Sequence, residues 1–497
     1  MRNVCFGNVR YGIVMRFFDR QFEIRKLQRI EELSKEVSQF TVVSGRRRIG
    51  KTALIRKAYE DLPLVYLFVA RKTESDLCES FVDSIREVLN VPVLGKVSRF
   101  IDIFRFLMEI AKTQHITVMI DEFQEFYKIN PSVFSEMQDV WDRNKADAKI
   151  NLVVCGSMNS LLNKIFRDKK EPLYGRQTDM IKVRAFAPSV LKEIMAEYNS
   201  QYSKEDLLAL YLLTGGVAKY VELFADRRIL TKDDMIDAFF DKDSYFLTEG
   251  KSMLIEEFGK EYGTYFSILS LIAQGHNTRS DIENILGIEI GGYIKKLVDD
   301  YGLITKRQPL FENAVNKNVR YALEDNFLKF WFRFVFRYEY MLEAGANAKL
   351  KNLVNADYEA YSGRILEAYF RESLIEQGLF TRIGYWHSRN GQNEIDIIAE
   401  LDNRLLFVEC KTMIHDSTDI DKFRSALRNF SGTSSTGIFV TNDKPNASNM
   451  SRYEHAMEKC KDNGILTFNF SLWRSNPIYT PTLKAIVNEQ IQLQNKR

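Results

Sequence analysis

Proline is scarce in this chain, 9 in 497 residues, where average usage would give about 25. No Pro-rich or low-complexity stretch divides it, so its domains must meet through helices and turns rather than stiff extended linkers. The five cysteines (Cys5, Cys78, Cys155, Cys410, Cys460) are scattered, odd in number and free of C-x-x-C spacing. That excludes a disulfide framework or a zinc site as an organising device and points to a reducing cytoplasm. The five histidines, His387 and His415 among them, show no metal-binding pairing, and surface or supporting roles are their default. A Gly-x-Ser-x-Gly elbow is also missing, and with it the expectation of hydrolase chemistry of that kind. No apolar run is long enough to span a membrane. The N-terminus carries Arg2, Arg10, Arg16 and Asp19 without a hydrophobic core segment, so a cytoplasmic protein with no membrane partner is expected. Residues 1–14 are poorly patterned and Met15 opens a coherent segment, which makes Met15 the expected natural start. The net charge of +3 is too small for a global field, so any nucleic-acid surface must be a local patch.

What is present begins with length: 497 residues exceed a single core and predict two to four domains. The strongest local signal is Gly45-Arg46-Arg47-Arg48-Ile49-Gly50-Lys51-Thr52, which follows the apolar run Phe40–Ser44 and precedes a helical stretch from Ala53. It fits the full G-x-x-x-x-G-K-[ST] phosphate-binding pattern. The glycines allow backbone N–H groups to face phosphate oxygens, and the helix beginning near Lys51 adds its positive end. Lys51 is expected on the β- and γ-phosphates and Thr52 on Mg²⁺.

Apolar runs at 40–44, 64–69, 116–121, 150–156 and 180–186 alternate with helical stretches, the pattern of a parallel α/β sheet. The strand 116–121 delivers Asp121 and Glu122 to its C-terminal edge, about seventy residues beyond the phosphate loop. Asp121 is expected to hold Mg²⁺ through water, and Glu122 to orient and deprotonate the attacking water. Ser157 at the next strand end reads either as a γ-phosphate sensor or as a helix cap. Arg176, in a turn before the fifth strand, is placed to neutralise transition-state charge in its own subunit or in a neighbour of a homo-oligomer.

The remainder changes character in steps. Helices follow Pro188, with Ser203 and Thr231 as N-caps ahead of acidic first turns. Residues 262–325 read as three short helices and two strand-like pieces, a winged helix-turn-helix, with Lys295, Lys296, Lys306 and Arg307 as phosphate-contacting candidates or as residues of a packing module. The aromatic stretch from Asp325 to Tyr338 is apolar on nearly every face and reads as a helix buried between domains. The resulting division is an ATPase core at 15–188, a helical lid at 189–255, the winged unit at 262–325, a linker at 326–356 and a second α/β unit at 357–475, followed by a polar tail.

Phe18-Asp-Arg20-Gln-Phe-Glu23, the glycine loop, Ile120–Gln124, Gly156-Ser157, Leu173-Tyr-Gly-Arg176 and Thr214-Gly-Gly216 together resemble the archaeal-type P-loop ATPases related to AAA+ and STAND proteins. The resemblance implies ATP as ligand, with the loop residues Gly45 to Ala53 around the nucleotide. It also implies a proline shortly after the Gly-Gly pair, where this chain has Val217-Ala218-Lys219-Tyr220; the lid's usual nucleotide-sensing contact is therefore not carried over.

Many such ATPases carry a domain similar to PD-(D/E)XK nucleases. Here Glu367 lies on a helix, Asn393-Glu394-Ile-Asp396 on a strand, and Glu409-Cys410-Lys411 on the next. Alternation puts Glu409 and Lys411 on one strand face. Asp396 and Glu409 are expected to share a second Mg²⁺ or Mn²⁺, with Glu367 reaching in and Lys411 activating water; Gln392 and Glu394 precede Asp396, and Glu394 should share its face. The fold class is thus α/β multidomain: a P-loop NTPase parallel sheet with helical lid, a winged helix-turn-helix, and a restriction-endonuclease-like α/β domain. The expected function is an ATPase whose nucleotide state controls a nuclease-like, DNA-acting domain. Two rivals remain: a STAND-type switch or scaffold whose C-terminal domain only binds, and ATP-driven DNA remodelling without cleavage.

Overall fold

A computed structural model describes residues 15–92, 95–157, 159–311, 319–388, 393–401, 404–411, 418–430, 435–441 and 450–469. The positions proposed above at Gln392, His415, residues 1–14 and the polar tail lie outside these. Five apolar runs form the parallel strands β1 (Gln39–Ser44), β2 (Leu64–Phe68), β3 (Ile116–Asp121), β4 (Ile150–Cys155) and β5 (Asp179–Lys182), in the spatial order β2-β3-β4-β1-β5. β3 and β4 are buried along their whole length, as strands covered on both faces must be. The expected fifth strand, 180–186, stops at Lys182 because the backbone then turns to the lid, where the Phe186 N–H donates to the Gly216 carbonyl at 2.7 Å.

Helices then dominate. Ser203 closes a capping box with Asp206, and the Thr231 hydroxyl accepts from the Asp234 N–H. Both satisfy N–H groups that a helix start otherwise leaves open. Three helices, Tyr262–Gln274, Arg279–Leu286 and Gly291–Asp299, precede an antiparallel pair, β6 (Ile304–Arg307) and β7 (Arg320–Leu323). The aromatic segment continues as the helix Asn326–Phe330 and a π-helical turn over Trp331–Val335, with Phe327, Phe330, Trp331 and Phe332 buried. A continuous helix, Asn347–Glu376, runs across the expected boundary at 356/357, so the linker and the second α/β unit share one rigid element.

That unit is a separate mixed sheet of β8 (Arg382–His387), β9 (Glu394–Leu401), β10 (Arg404–Lys411), β11 (Ser435–Thr441) and β12 (Leu466–Asn469), ordered β12-β11-β10-β9-β8. β8, β9 and β10 pair antiparallel, whereas β10, β11 and β12 pair parallel. The long helix covers one face; Ile420, Phe423 and Ala456 pack into the core of the other. Among the described residues no helix is long and apolar enough to cross a membrane.

Candidate functional site

The C-terminal edge of the parallel sheet gathers the phosphate loop and both strand-end carboxylates. Gly50 has φ +94°, a left-handed conformation that favours glycine, and it starts the helix Lys51–Ala58. Lys51 is buried, and its Nζ donates to the carbonyls of Gly45 (2.9 Å) and Arg46 (3.0 Å). Burial holds its pKa below that of an ordinary lysine, against nearby Asp121 and Glu122, which favour the charge.

Asp121 is fully engaged. Its Oδ2 accepts from Thr52 Oγ1 at 2.7 Å and from the Tyr66 hydroxyl at 3.1 Å, and its Oδ1 from Cys155 Sγ at 2.9 Å and the Glu122 N–H at 3.0 Å. Next to it, Glu122 takes a left-handed backbone conformation, φ +55°, uncommon without a special reason for a residue with a Cβ. Its Oε2 accepts from the Ser157 hydroxyl (2.7 Å), the Ser157 N–H (3.3 Å) and the Gln124 side-chain amide. Gly156 makes this packing possible, since a Cβ there would lie 1.9 Å from Gln124 Oε1. Tyr66 and Cys155 look like ordinary strand residues until the sheet order brings them to the carboxylates, and the signal for Gln124 was its place at the end of the Ile120–Gln124 motif.

A cavity of about 440 Å³ opens beside these groups, lined by Gly50, Lys51, Thr52, Asp121, Glu122 and Ser157 on one side and Phe18, Arg20, Phe186 and Lys219 on the other. Its volume falls within the roughly 300–1,000 Å³ of small-ligand sites. Arg20 is buried with φ +75°; one guanidinium nitrogen donates to the Arg184 carbonyl at 2.6 Å and the group stacks 4.9 Å from the Phe186 ring. The available signal for Arg20 was its place in the Phe18-Asp-Arg20 motif. Ile49 and Ala53 line the same cavity.

The loop arginines reach outward. Arg47 pairs with Glu256, and Arg48 Nε donates to buried Glu249 at 2.6 Å while lying 4.7 Å from the Tyr245 ring. Both carboxylates belong to the helix Tyr245–Phe258, and both arginines still border the cavity. Arg46 does not line it and pairs instead with Asp325. The structure does not bring Arg176 to this cavity. It lies beyond the N-terminal end of β5, paired with Asp142 at 3.1 Å, where the neighbouring Thr178 N–H donates to the carbonyl of Phe40 at the far end of β1. Arg176 therefore cannot serve the phosphate loop of its own subunit in this arrangement.

In the mixed sheet, Asp396 Oδ2 accepts from the Cys410 N–H at 2.8 Å, and Lys411 Nζ meets Glu409 Oε1 at 2.6 Å. Glu409 is buried, and among the described residues its second oxygen has no hydrogen-bond partner. Burial raises the pKa of Asp396, Glu409 and Glu367; Asp396 adds to the shift at both glutamates. Lys411 opposes the effect at all three; burial pulls its own pKa down, but Glu409 and Asp396 outweigh it and raise it. Glu394, which contributes to the field at Glu367, is exposed. Yet among the described residues no three His, Cys, Asp or Glu side chains stand where they could hold a metal ion. Asp396 and Glu409, the pair expected to share the second metal, stand on the paired strands β9 and β10, each with one oxygen already taken by a donor.

Known proteins give this architecture a lineage. A family described as an ATPase domain predominantly from Archaea matches residues 17–224, and one described as archaeal and bacterial proteins of unknown function matches residues 331–422. The uncharacterized protein MJECL04 of Methanocaldococcus jannaschii is 31% identical over 418 residues, covering 82% of this chain and 90% of its own. Among solved structures, the Walker-type ATPase paby2304 of Pyrococcus abyssi is 18% identical with a TM-score of 0.49, covering 64% of this chain and 96% of its own. The ORC2 protein of Aeropyrum pernix is 16% identical with a TM-score of 0.46, covering 68% and 97%. With its phosphate loop, strand-end carboxylates and a relative aligned along most of its length, the chain belongs to the archaeal-type P-loop ATPase family.

Proposed function

We propose that the chain hydrolyses ATP at the loop and that its nucleotide state governs a nuclease-like, DNA-acting C-terminal unit. The observation that carries the first half is the convergence of Lys51, Thr52, Asp121 and Glu122 on one cavity. Thr52 Oγ1 and Asp121 Oδ2, 2.7 Å apart, form an oxygen pair suited to a hard cation. Mg²⁺, when bound, supplies charge neutralisation at the phosphates. Lys51 exchanges its two carbonyl partners for phosphate oxygens, and the helix behind it adds its positive end. Ser157 and Gln124 both occupy Oε2 of Glu122, which leaves Oε1 to take a proton from the attacking water.

The second half rests on buried Glu409 with part-buried Glu367, Asp396 and Lys411, and on the order of helix and strands around them. DNA contact is assigned to the three-helix and β6–β7 unit, read as a winged helix, through exposed Lys295, Lys296 and Lys306. Arg307, tied to Glu324 at 3.4 Å, is a packing residue in this reading. The rival, a nucleotide switch whose C-terminal unit only binds, is favoured by one observation: Lys411 Nζ lies 2.6 Å from Glu409 Oε1 and occupies an oxygen that a cation would need. Incubation of the full chain with single-stranded, duplex and branched DNA and Mg²⁺ or Mn²⁺, with and without ATP, separates them. Cleavage by wild type that Lys411→Ala abolishes supports the nuclease reading. Intact DNA throughout, or cutting by Lys411→Ala at the wild-type rate, leaves the switch.

A further inference from the structure

Arg46 sits within the phosphate loop but points away from the cavity. It pairs with Asp325, lies 5.6 Å from the Tyr220 ring and 5.5 Å from the Phe327 ring, and places Nε 3.4 Å from Met253 Sδ. Its Nε donates to the Met253 sulfur, but one terminal nitrogen is buried and among the described residues has no hydrogen-bond partner, so one corner of this cation is left unsatisfied beside Asp325 and the aromatic faces. A part-buried cation with one buried N–H left unsatisfied is poised to move when its backbone moves. The backbone has a reason to move: the Arg46 carbonyl is one of the two oxygens that hold Lys51 Nζ, and phosphate binding draws that ammonium away.

Asp325 stands at a junction. Its Oδ1 caps the aromatic helix by accepting from the Leu328 N–H at 3.0 Å, and Gly215 of the lid lies against it. Its neighbour Glu324 accepts from Thr305 at 2.6 Å on β6 and pairs with Arg371 of the long helix at 3.6 Å. Arg371 is one helical turn from Glu367 on the same helix. Contacts therefore run without a gap from Lys51 through Arg46, Asp325, Glu324 and Arg371 to the helix that carries Glu367.

We infer that Arg46 and Asp325 form a latch that reports occupancy of the phosphate loop to the long helix, with Glu324 and Arg371 as the relay. The inference rests on the proposed nucleotide control of the C-terminal unit and on no chemistry at Glu367. Asp325 is thus a positioning residue, not a ligand. Spatial continuity alone does not establish coupling, which requires that changing the latch change the response.

The test is amide hydrogen exchange on the full chain, with and without a non-hydrolysable ATP analogue and Mg²⁺, alongside direct titration of analogue binding. Asp325→Asn keeps the helix cap, since asparagine caps as well as aspartate, and removes only the charge that meets Arg46. In wild type the analogue should alter exchange in segments 324–336 and 360–376. In Asp325→Asn it should bind with unchanged affinity while the change at 360–376 is lost. Arg371→Gln, which leaves the latch intact, should keep the change at 324–336 and lose the one at 360–376. A full wild-type response at 360–376 in Asp325→Asn overturns the latch, as does loss of analogue binding in that variant. No response at 360–376 in wild type that binds the analogue overturns instead the control reading on which the latch rests.

Discussion

At the end of β3, Asp121 accepts four hydrogen bonds and Glu122 three on one oxygen, whereas on β10 Glu409 is buried in the field of Asp396 on β9 and among the described residues its Oε2 has no hydrogen-bond partner. The first arrangement fixes its carboxylates by donors before any ligand arrives, which is how a site avoids reorganising during reaction. The second stores electrostatic repulsion in a buried place, tempered by Lys411 alone among the cations acting on all three carboxyls. A preorganised site in the N-terminal unit and a tense one in the C-terminal unit suit an engine and a responding element, respectively.

The largest effect that can break this contrast is expected at Glu122. Glu122→Gln keeps the hydrogen-bonding shape and removes the base, so hydrolysis should fall by about 10²–10⁴-fold while nucleotide binding persists; a phosphate-release assay beside a binding titration checks it. Lys51→Ala should lower kcat/KM by about 10²–10³-fold, by analogy with the loss of one transition-state donor. Activity near wild type in either variant would remove the engine from the account.

At the other site, Glu367→Gln tests the tension. A carboxyl whose pKa is raised on folding binds its proton more tightly in the native state, so its contribution to stability is present below the unfolded value of about 4.3 and is lost as pH rises through the folded value. Wild type should therefore lose C-terminal stability between acid and mildly alkaline pH. Glu367→Gln should unfold about 2–4 °C higher at pH 8, the shift expected for roughly 1 kcal/mol, with the gap closing near pH 4. A variant less stable than wild type at pH 8 contradicts the stored repulsion. The smallest effect belongs to Arg176→Ala. Its pair with Asp142 is half-exposed and worth about 0–1 kcal/mol, and hydrolysis by a single chain should not change. A loss of activity that grows with protein concentration relative to wild type would instead place Arg176 in a neighbouring subunit's site.

Much of the parallel sheet was readable because its strands are apolar runs bounded by glycine, acid or amide residues, and the phosphate loop declares its chemistry in eight consecutive positions. What stayed hidden depends on tertiary order. Tyr66 and Cys155 reach Asp121 only because β2 and β4 flank β3. The Arg46–Asp325 pair joins positions that no local pattern relates. β8 carries no clear signal because Arg382–His387 lacks a clean alternation: Arg382 is exposed and 383–386 are only partly buried. In the C-terminal unit the residue types were legible, but their partners were not: spacing placed Asp396 and Glu409 on adjacent strands and could not say that the Cys410 N–H and Lys411 would each take one of their oxygens.

The central claim is that occupancy of the glycine loop sets the behaviour of the DNA-acting units that follow it in the chain. DNA binding by the full chain, measured by fluorescence anisotropy on a labelled duplex with ATP analogue, with ADP and without nucleotide, beside Lys51→Ala, tests it most directly. The account predicts an affinity that differs between nucleotide states in wild type and is the same in all of them for Lys51→Ala. An affinity indifferent to nucleotide in a wild-type chain that binds both DNA and the analogue would contradict it.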